Sequence, residues 1–216
     1  MVVTHDTRDP TPQRLSIAVS ARHTMRGMPA ATSAAPGSLE LIRSFINTLD
    51  VEANHDEFAQ AYAVKGWLVS RGLLDEGVAV AETDRLRLIE VREALRTLLL
   101  AQGAGQAHHD AVRTLDDAGA LGGGLSVRFH QDEGARLTAD HDHVAGAIAG
   151  MLAIIYTAMA QGTWARLKAC QNDQCHWIFY DGSRNQSRRW CSMARCGSRS
   201  KARTFRRRNS EVLNPG

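Results

Sequence analysis

All four cysteines of this chain fall in one polar, glycine-dotted stretch, CQNDQCHWIFYDGSRNQSRRWCSMARC, at Cys170, Cys175, Cys191 and Cys196. A segment of this size and polarity has too few apolar residues to bury a core of its own and needs a cross-link. Its cysteines form two close pairs, each with four intervening residues, set fifteen residues apart. That spacing suits one tetrahedral zinc held by four thiolates, each pair forming a turn whose backbone amides face the sulfurs. Such a metal is structural, because four sulfurs leave no coordination position open for catalysis. Unligated core cysteines or a redox pair are the competing readings.

The compartment bears on that choice. The N-terminus lacks the basic-then-apolar layout of a secretory signal and keeps Asp6 and Asp9. Val144–Ala160 is a run of 17 uncharged residues, but much of it is Ala and Gly, and it falls just short of a membrane span. Ile148, Met151, Leu152, Ile155 and Met159 share one helical face there, with Ala149, Gly150, Ala153 and Ala160 opposite, as in a buried core helix. A cytoplasmic location and no membrane partner are expected, and clustered cytoplasmic cysteines are metal ligands more often than disulfides.

The formal charge of +3 conceals an asymmetry. Residues 166–208 hold 12 Lys/Arg against Asp173 and Asp181, a balance of +10, which leaves −7 for the remainder. One end of the molecule is suited to an anionic partner. After Cys196, a helix capped by Ser198 is expected through about Arg208. At about 100° per residue, Arg199, Arg203, Arg206 and Arg207 share one side of it, while Ala202 and Phe205 are expected to face the module. Arg184 and Arg188, in the preceding turn, and Lys201 extend the basic surface. Arginines beside a tetrathiolate of formal charge −2 also balance it, but twelve exceed that need. Nucleic acid is the expected partner.

Upstream, residues 1–36 have no hydrophobic period and read as a disordered extension or an overlong translation start. Helices are expected from Ser38 (Leu39, Ile42, Phe45, Ile46, Leu49), from Asp56 to Gly72 (Phe58, Tyr62, Trp67, Leu68), and over TDRLRLIEVREALRTLLLA (Leu88, Val91, Leu95, Leu98). A weaker helix spans Asp110–Asp117. Alternation at Leu125, Val127 and Phe129 with a DEG turn predicts a β-hairpin, and the apolar helix then continues through Trp164 and Leu167. HWIFYD reads as a strand with Trp177 and Phe179 on one side and Ile178 and Tyr180 on the other. The fold class is therefore mainly α: a helical domain with one hairpin over 37–165, a small zinc module over 166–209 and a tail over 210–216. On metal removal the module is expected to unfold while the helical domain persists.

The finger resembles the CGNR zinc-finger proteins, whose finger ends a chain beginning with an ABATE-type domain. The resemblance rests on Phe179, Asp181, Ser183, Arg184 and Asn185, then Arg188, Arg189, Trp190 and Cys191, then Cys196, Gly197, Ser198, Arg199 and Lys201. The name-giving Asn is Ser198 here. FINTLD, GWLVSRGLL and LIEVREALRTLLLA are similar to the family's N-terminal domain. The resemblance implies a bacterial, zinc-dependent, stress-related transcription regulator that binds DNA.

The histidines and glycines of the chain offer other readings. His108-His109 and His141-Asp142-His143 lack a third ligand at helical spacing and read as exposed loop or helix-end residues. A nuclease would need a general base, and His176 is the one histidine near the cysteines. GALGGG precedes a strand and lacks the lysine of a phosphate loop. No catalytic residue is expected. The helices could enclose a small-molecule or protein effector, although no polar residue specifies one. RNA binding and a protein-interaction module with purely structural zinc remain as alternatives. Exposed Trp177, Tyr180 and Trp190 would favour RNA.

Overall fold

The computed structural model describes residues 34–101, 105–121, 125–131 and 134–213. Residues 1–33 of the expected extension lie outside them. Among the described residues the fold is mainly α, with six α-helices and three short two-stranded ribbons.

The core starts from helix α1 (Leu39–Ile46), whose Leu39, Ile42, Phe45 and Ile46 repeat at helical spacing and are all buried. Ser38 precedes it but makes no side-chain cap; the stabilising anion is Glu40, which accepts from Ala35 N–H and from Arg43. Helix α2 (Ala61–Val69) adds Val64, Trp67 and Leu68. Phe45, Phe58 and Trp67 meet with ring centroids 5.6–5.9 Å apart, in the tilted and edge-on arrangements aromatic quadrupoles favour. Helix α3 (Glu82–Leu100) starts where Asp84 accepts from Ala81 N–H at 2.9 Å, and it buries Leu88, Val91 and Leu95. Helix α4 (Gln106–Ala120) packs on it and is longer than the sequence pattern indicates. Helix α5 (Val144–Ala160) closes the core through Ile148, Met151 and Ile155, while Met159 is half exposed. Ala147, Ala149, Ala153 and Ala158 are buried too, which permits close helix contact, while Ala160 is exposed. No helix among the described residues is long and apolar enough to cross a membrane.

Three expected helix boundaries are corrected, the first being Leu49, which lies beyond the end of α1 at Ile46. Asp56 does not start α2: it lies in a ribbon of β1 (Leu49–Asp50) and β2 (His55–Asp56). Its carboxylate is taken by Phe58 N–H at 2.8 Å and, bidentately, by the buried Arg92 at 2.6 and 2.8 Å, and the chain turns before the helix begins after Gln60. Nor does α5 continue through Trp164. Gly162 adopts φ +70°, and the N–H groups of Gly162 and Thr163 bond the carbonyls of Met159 and Ala158, a Schellman stop. The hairpin β3 (Ser126–His130) and β4 (Gly134–Thr138) forms as expected, though Val127 and Phe129 are exposed.

After a short 3-10 turn, β5 (Leu167–Ala169) pairs antiparallel with β6 (Ile178–Tyr180). Strand alternation makes this ribbon two-faced. Leu167, Ala169, Ile178 and Tyr180 join the helical core, while Phe179 faces the cysteines. The Asn47 side chain completes the ribbon's edge: its amide donates to Ile178 C=O and accepts from Ile178 N–H, both at 2.8 Å. Arg96 bonds Ile46 C=O at 2.6 Å and His176 C=O at 3.3 Å. The helices and the cysteine module thus share one core surface.

Two outcomes follow from that sharing. Asn47→Ala leaves a buried N–H and C=O unpaired and should cost roughly 1–3 kcal/mol, read by chemical denaturation. Metal removal should lower the unfolding midpoint of the helical part as well. An unchanged midpoint would show that the ribbon stays formed without the module.

Candidate metal centre

Two knuckles converge at the end of this ribbon. In the first, Cys170 N–H bonds Trp177 C=O, while Asn172 C=O accepts from Cys175 N–H at 2.8 Å and His176 N–H at 3.3 Å. His176 absorbs the reversal at φ +50°. In the second, Ser192 caps a π-turn (Met193–Gly197): its Oγ accepts from Arg195 N–H, and its carbonyl accepts from Cys196 and Gly197 N–H at 3.0 and 3.1 Å. Gln171 N–H bonds Arg189 C=O and ties the knuckles together.

The four sulfurs are buried and lie within 4.8 Å of one another. Cys191 Sγ is 3.7 Å from both Cys175 Sγ and Cys196 Sγ. Zn–S bonds of about 2.3 Å in a tetrahedron require S···S separations of about 3.8 Å. The cluster therefore fits one zinc ion. Trp177, Phe179 and, partly, Trp190 form its apolar shell.

Protons report the same constraint. Hydrogen bonds from Cys175 and Cys191 pull the Cys170 thiol far down, and those same bonds push Cys175 and Cys191 up. Without a cation, one thiolate is stabilised by neighbours that keep their protons.

Around the sulfurs lies a polar layer. Asn172 is fully buried; its Nδ2 donates to Cys196 Sγ at 3.5 Å and its Oδ1 accepts from Arg203 at 2.6 Å. Asp181, also buried, accepts from Ser183 Oγ (2.6 Å) and N–H (3.1 Å), Lys168 Nζ (2.9 Å) and Arg188 N–H (2.9 Å). Burial raises its carboxyl, but these bonds outweigh it and hold the group well below the usual carboxylate range. Arg166 adds bonds to the carbonyls of Asp181 and Ser183, fixing the turn that presents Arg184.

Helix α6 (Ser198–Leu213) continues the π-turn without a break. Ser198 is therefore not its N-cap; Ser192 caps the run, and Ser198 Oγ donates to Met193 C=O at 3.3 Å. The expected orientation of α6 is also corrected. Ala202 is exposed and Phe205 is 65% exposed, whereas Ser200, Arg203 and Thr204 turn toward the module. The π-turn and the Arg203–Asn172 bond fix the rotation of the helix, and its two apolar side chains do not.

The arginines divide accordingly. Arg199 and Arg195 pair with Glu52 in the β1–β2 turn, Arg195 at 2.9 Å. Burial raises the Glu52 carboxyl and these two guanidiniums more than offset it, leaving it below its ordinary value. Arg188 donates to Cys191 C=O at 2.9 Å and stands 5.0 Å from the Phe179 ring centroid. Arg184, Lys201 and Arg206 are exposed. The side chain of Arg207 lies outside the described residues. Trp177 is buried in the cysteine cluster, and Tyr180 and Trp190 are half-buried. The histidine pairs stay apart from the sulfurs, at the start of α4 and just before α5. Asn172 and Glu52 went unmarked in the sequence. An Asx residue inside a cysteine knuckle is a readable turn signal, whereas nothing local marks Glu52.

Residues 38–161 match the model of the ABATE domain, described as "Putative stress-induced transcription regulator". Residues 166–209 match that of the CGNR zinc finger. No curated protein matches the chain.

Zinc uptake should displace protons from at least Cys175 and Cys191, whose thiols are held protonated without metal. Ligands that must lose protons bind more weakly as pH falls. Calorimetric zinc affinity should therefore rise with pH, with one zinc per chain; a flat profile would contradict a four-thiolate site. Asn172→Ala should weaken zinc by about 10- to 100-fold, measured by chelator competition, with no change expected if Asn172 merely fills space.

Proposed function

Because the chain belongs to the ABATE family and ends in a CGNR zinc finger, we propose that it is a zinc-dependent transcription regulator that binds DNA through the finger and α6. The observation that carries this reading is a basic helix rooted directly on the metal centre. Its exposed Lys201 and Arg206, with Arg184 on the adjoining turn, stand on a module whose acids are Asp173 and the buried, fully engaged Asp181. Among the described residues no acid pairs with them, and phosphates would supply that charge.

The metal's part is to hold the two knuckles and the root of α6 in one geometry. Asn172 and Arg203 then orient the helix, and the Asp181 bonds hold the Arg184 turn. Four sulfurs close the coordination sphere, which favours a structural over a catalytic metal. The families matched are likewise regulatory in description. The helical domain is the candidate receiver of a small-molecule or protein effector, since Asn47, Arg96 and Glu52 link it directly to the finger.

Each phosphate neutralised releases condensed counterion, so log affinity should fall with log salt at a slope of about −0.9 per contact on duplex DNA. With the exposed Arg184, Lys201 and Arg206 engaged, the slope should be about −3. Arg206→Ala should reduce it by about one and weaken all sequences alike, with zinc content unchanged. Arg203→Ala should act on both, because it also supports Asn172. Anisotropy titrations on duplex DNA, single-stranded DNA and RNA across salt provide the test. Salt-insensitive or absent binding to all three would leave the protein-interaction reading instead.

A further inference from the structure

A cleft beside the root of α6 belongs neither to the metal site nor to the helical core. Gly197 makes it possible. A Cβ there would stand 2.5 Å from Met193 Sδ and 3.2 Å from Trp190 Cδ1, so any side chain at this position would push the methionine aside and crowd the indole edge. Lys201, one turn on, then Ser200, Thr204 and Phe205 complete the walls of a space of about 280 Å³. The Arg189 guanidinium stands 5.7 Å from the Trp190 ring centroid. Because Arg203–Asn172 fixes the rotation of α6, Phe205 cannot turn inward, and it remains 65% exposed.

A half-buried indole and an exposed phenyl ring lining one open space offer an apolar contact surface. Charge decides what it would hold. The lining carries the cation Lys201 and no acid, Arg206 adjoins Phe205, and Arg189 stands near the indole. The fitting occupant presents a flat apolar ring beside negative charge. We propose that the Trp190–Phe205 cleft receives one unpaired base of a nucleic-acid strand, stacked on the aromatic side chains, while Lys201 and Arg206 meet the flanking phosphates. The space is just below the range of about 300–1,000 Å³ typical of drug-sized ligands, in keeping with a single ring system. Every base has a stackable face, so the contact recognises unpairing more than sequence. A fully paired duplex offers no such face. This inference rests on the nucleic-acid reading above and narrows it to a strand that is single or locally opened.

The test uses the zinc-loaded full chain and three labelled oligonucleotides of equal length: a paired duplex, the same duplex with one central bulged base, and a single strand. The bulged duplex should bind more tightly than the paired one. Phe205→Ala should lose about 5- to 150-fold on the bulged duplex, the range one stacked base supplies, while affinity for the paired duplex and zinc content stay unchanged. Phe205→Tyr should keep the preference, and Phe205→Leu, apolar but not aromatic, should lose it. If Phe205→Ala moves none of the affinities, or if the wild type does not favour the bulge, the cleft does not take a base, yet salt-dependent binding still stands. Absence of salt-dependent binding to all three removes the underlying reading and this one together. A sedimenting dimer that Phe205→Ala dissociates, with nucleic-acid preference unmoved, would assign the cleft to a second copy and overturn the proposal.

Discussion

Four cysteine sulfurs within 4.8 Å cannot all be thiolates without a cation among them. Mutual repulsion in a buried site is relieved either by retained protons or by a metal. The proton pattern shows the first solution, with Cys170 pulled down and Cys175 and Cys191 pushed up. The tetrahedral spacing shows the second. Much else in the C-terminal part follows from that closure. The knuckles position Asn172, Asn172 accepts from Arg203, and Arg203 sets the rotation of a helix that starts within the second knuckle. The surface that α6 offers is thus determined some distance away, at the sulfurs.

The β5–β6 ribbon carries this order into the helical part. One of its faces lies in the core of α1, α3 and α5, and the other lies against the cysteines. A two-stranded ribbon is marginal in water unless packed, so each part supplies the other's support. Electrostatics runs in the same direction. The finger's excess of positive charge meets the acidic remainder at Glu52, which takes Arg195 and Arg199. The helical domain thereby decides which finger cations stay available, and any movement of the β1–β2 turn would alter that set.

The features legible in sequence were those with a period or a fixed chemistry. The cysteine spacing, the stripe of α3, the start of α5 (though not its end), the hairpin and the two-sided strand around Ile178 all appear where the pattern puts them. Features set by a single tertiary partner were not legible. Asp56 reads as a helix start until the buried Arg92 claims its carboxylate. The β1 and β2 strands are too short to carry any alternation. The rotation of α6 was misjudged because amphipathicity assigned Ala202 and Phe205 inward, when a π-turn and one hydrogen bond set the phase.

Arginine composition alone overstates a binding surface, and this module shows why. The same side chain serves in three structural ways here. Arg203 supports Asn172 against Cys196, Arg188 holds a knuckle carbonyl and stands near Phe179, and Arg195 and Arg199 answer Glu52. Each is a charge-assisted bond that a phosphate would have to displace, and such bonds are about twice as strong as neutral ones. Arg184, Lys201 and Arg206 stand exposed, so a phosphate reaching them need displace little more than water and mobile counterions. Exposed cations next to an exposed aromatic cleft form a more selective surface than a uniform basic stripe. On the proposed reading, charge attracts any strand and the cleft discriminates those with an unpaired base.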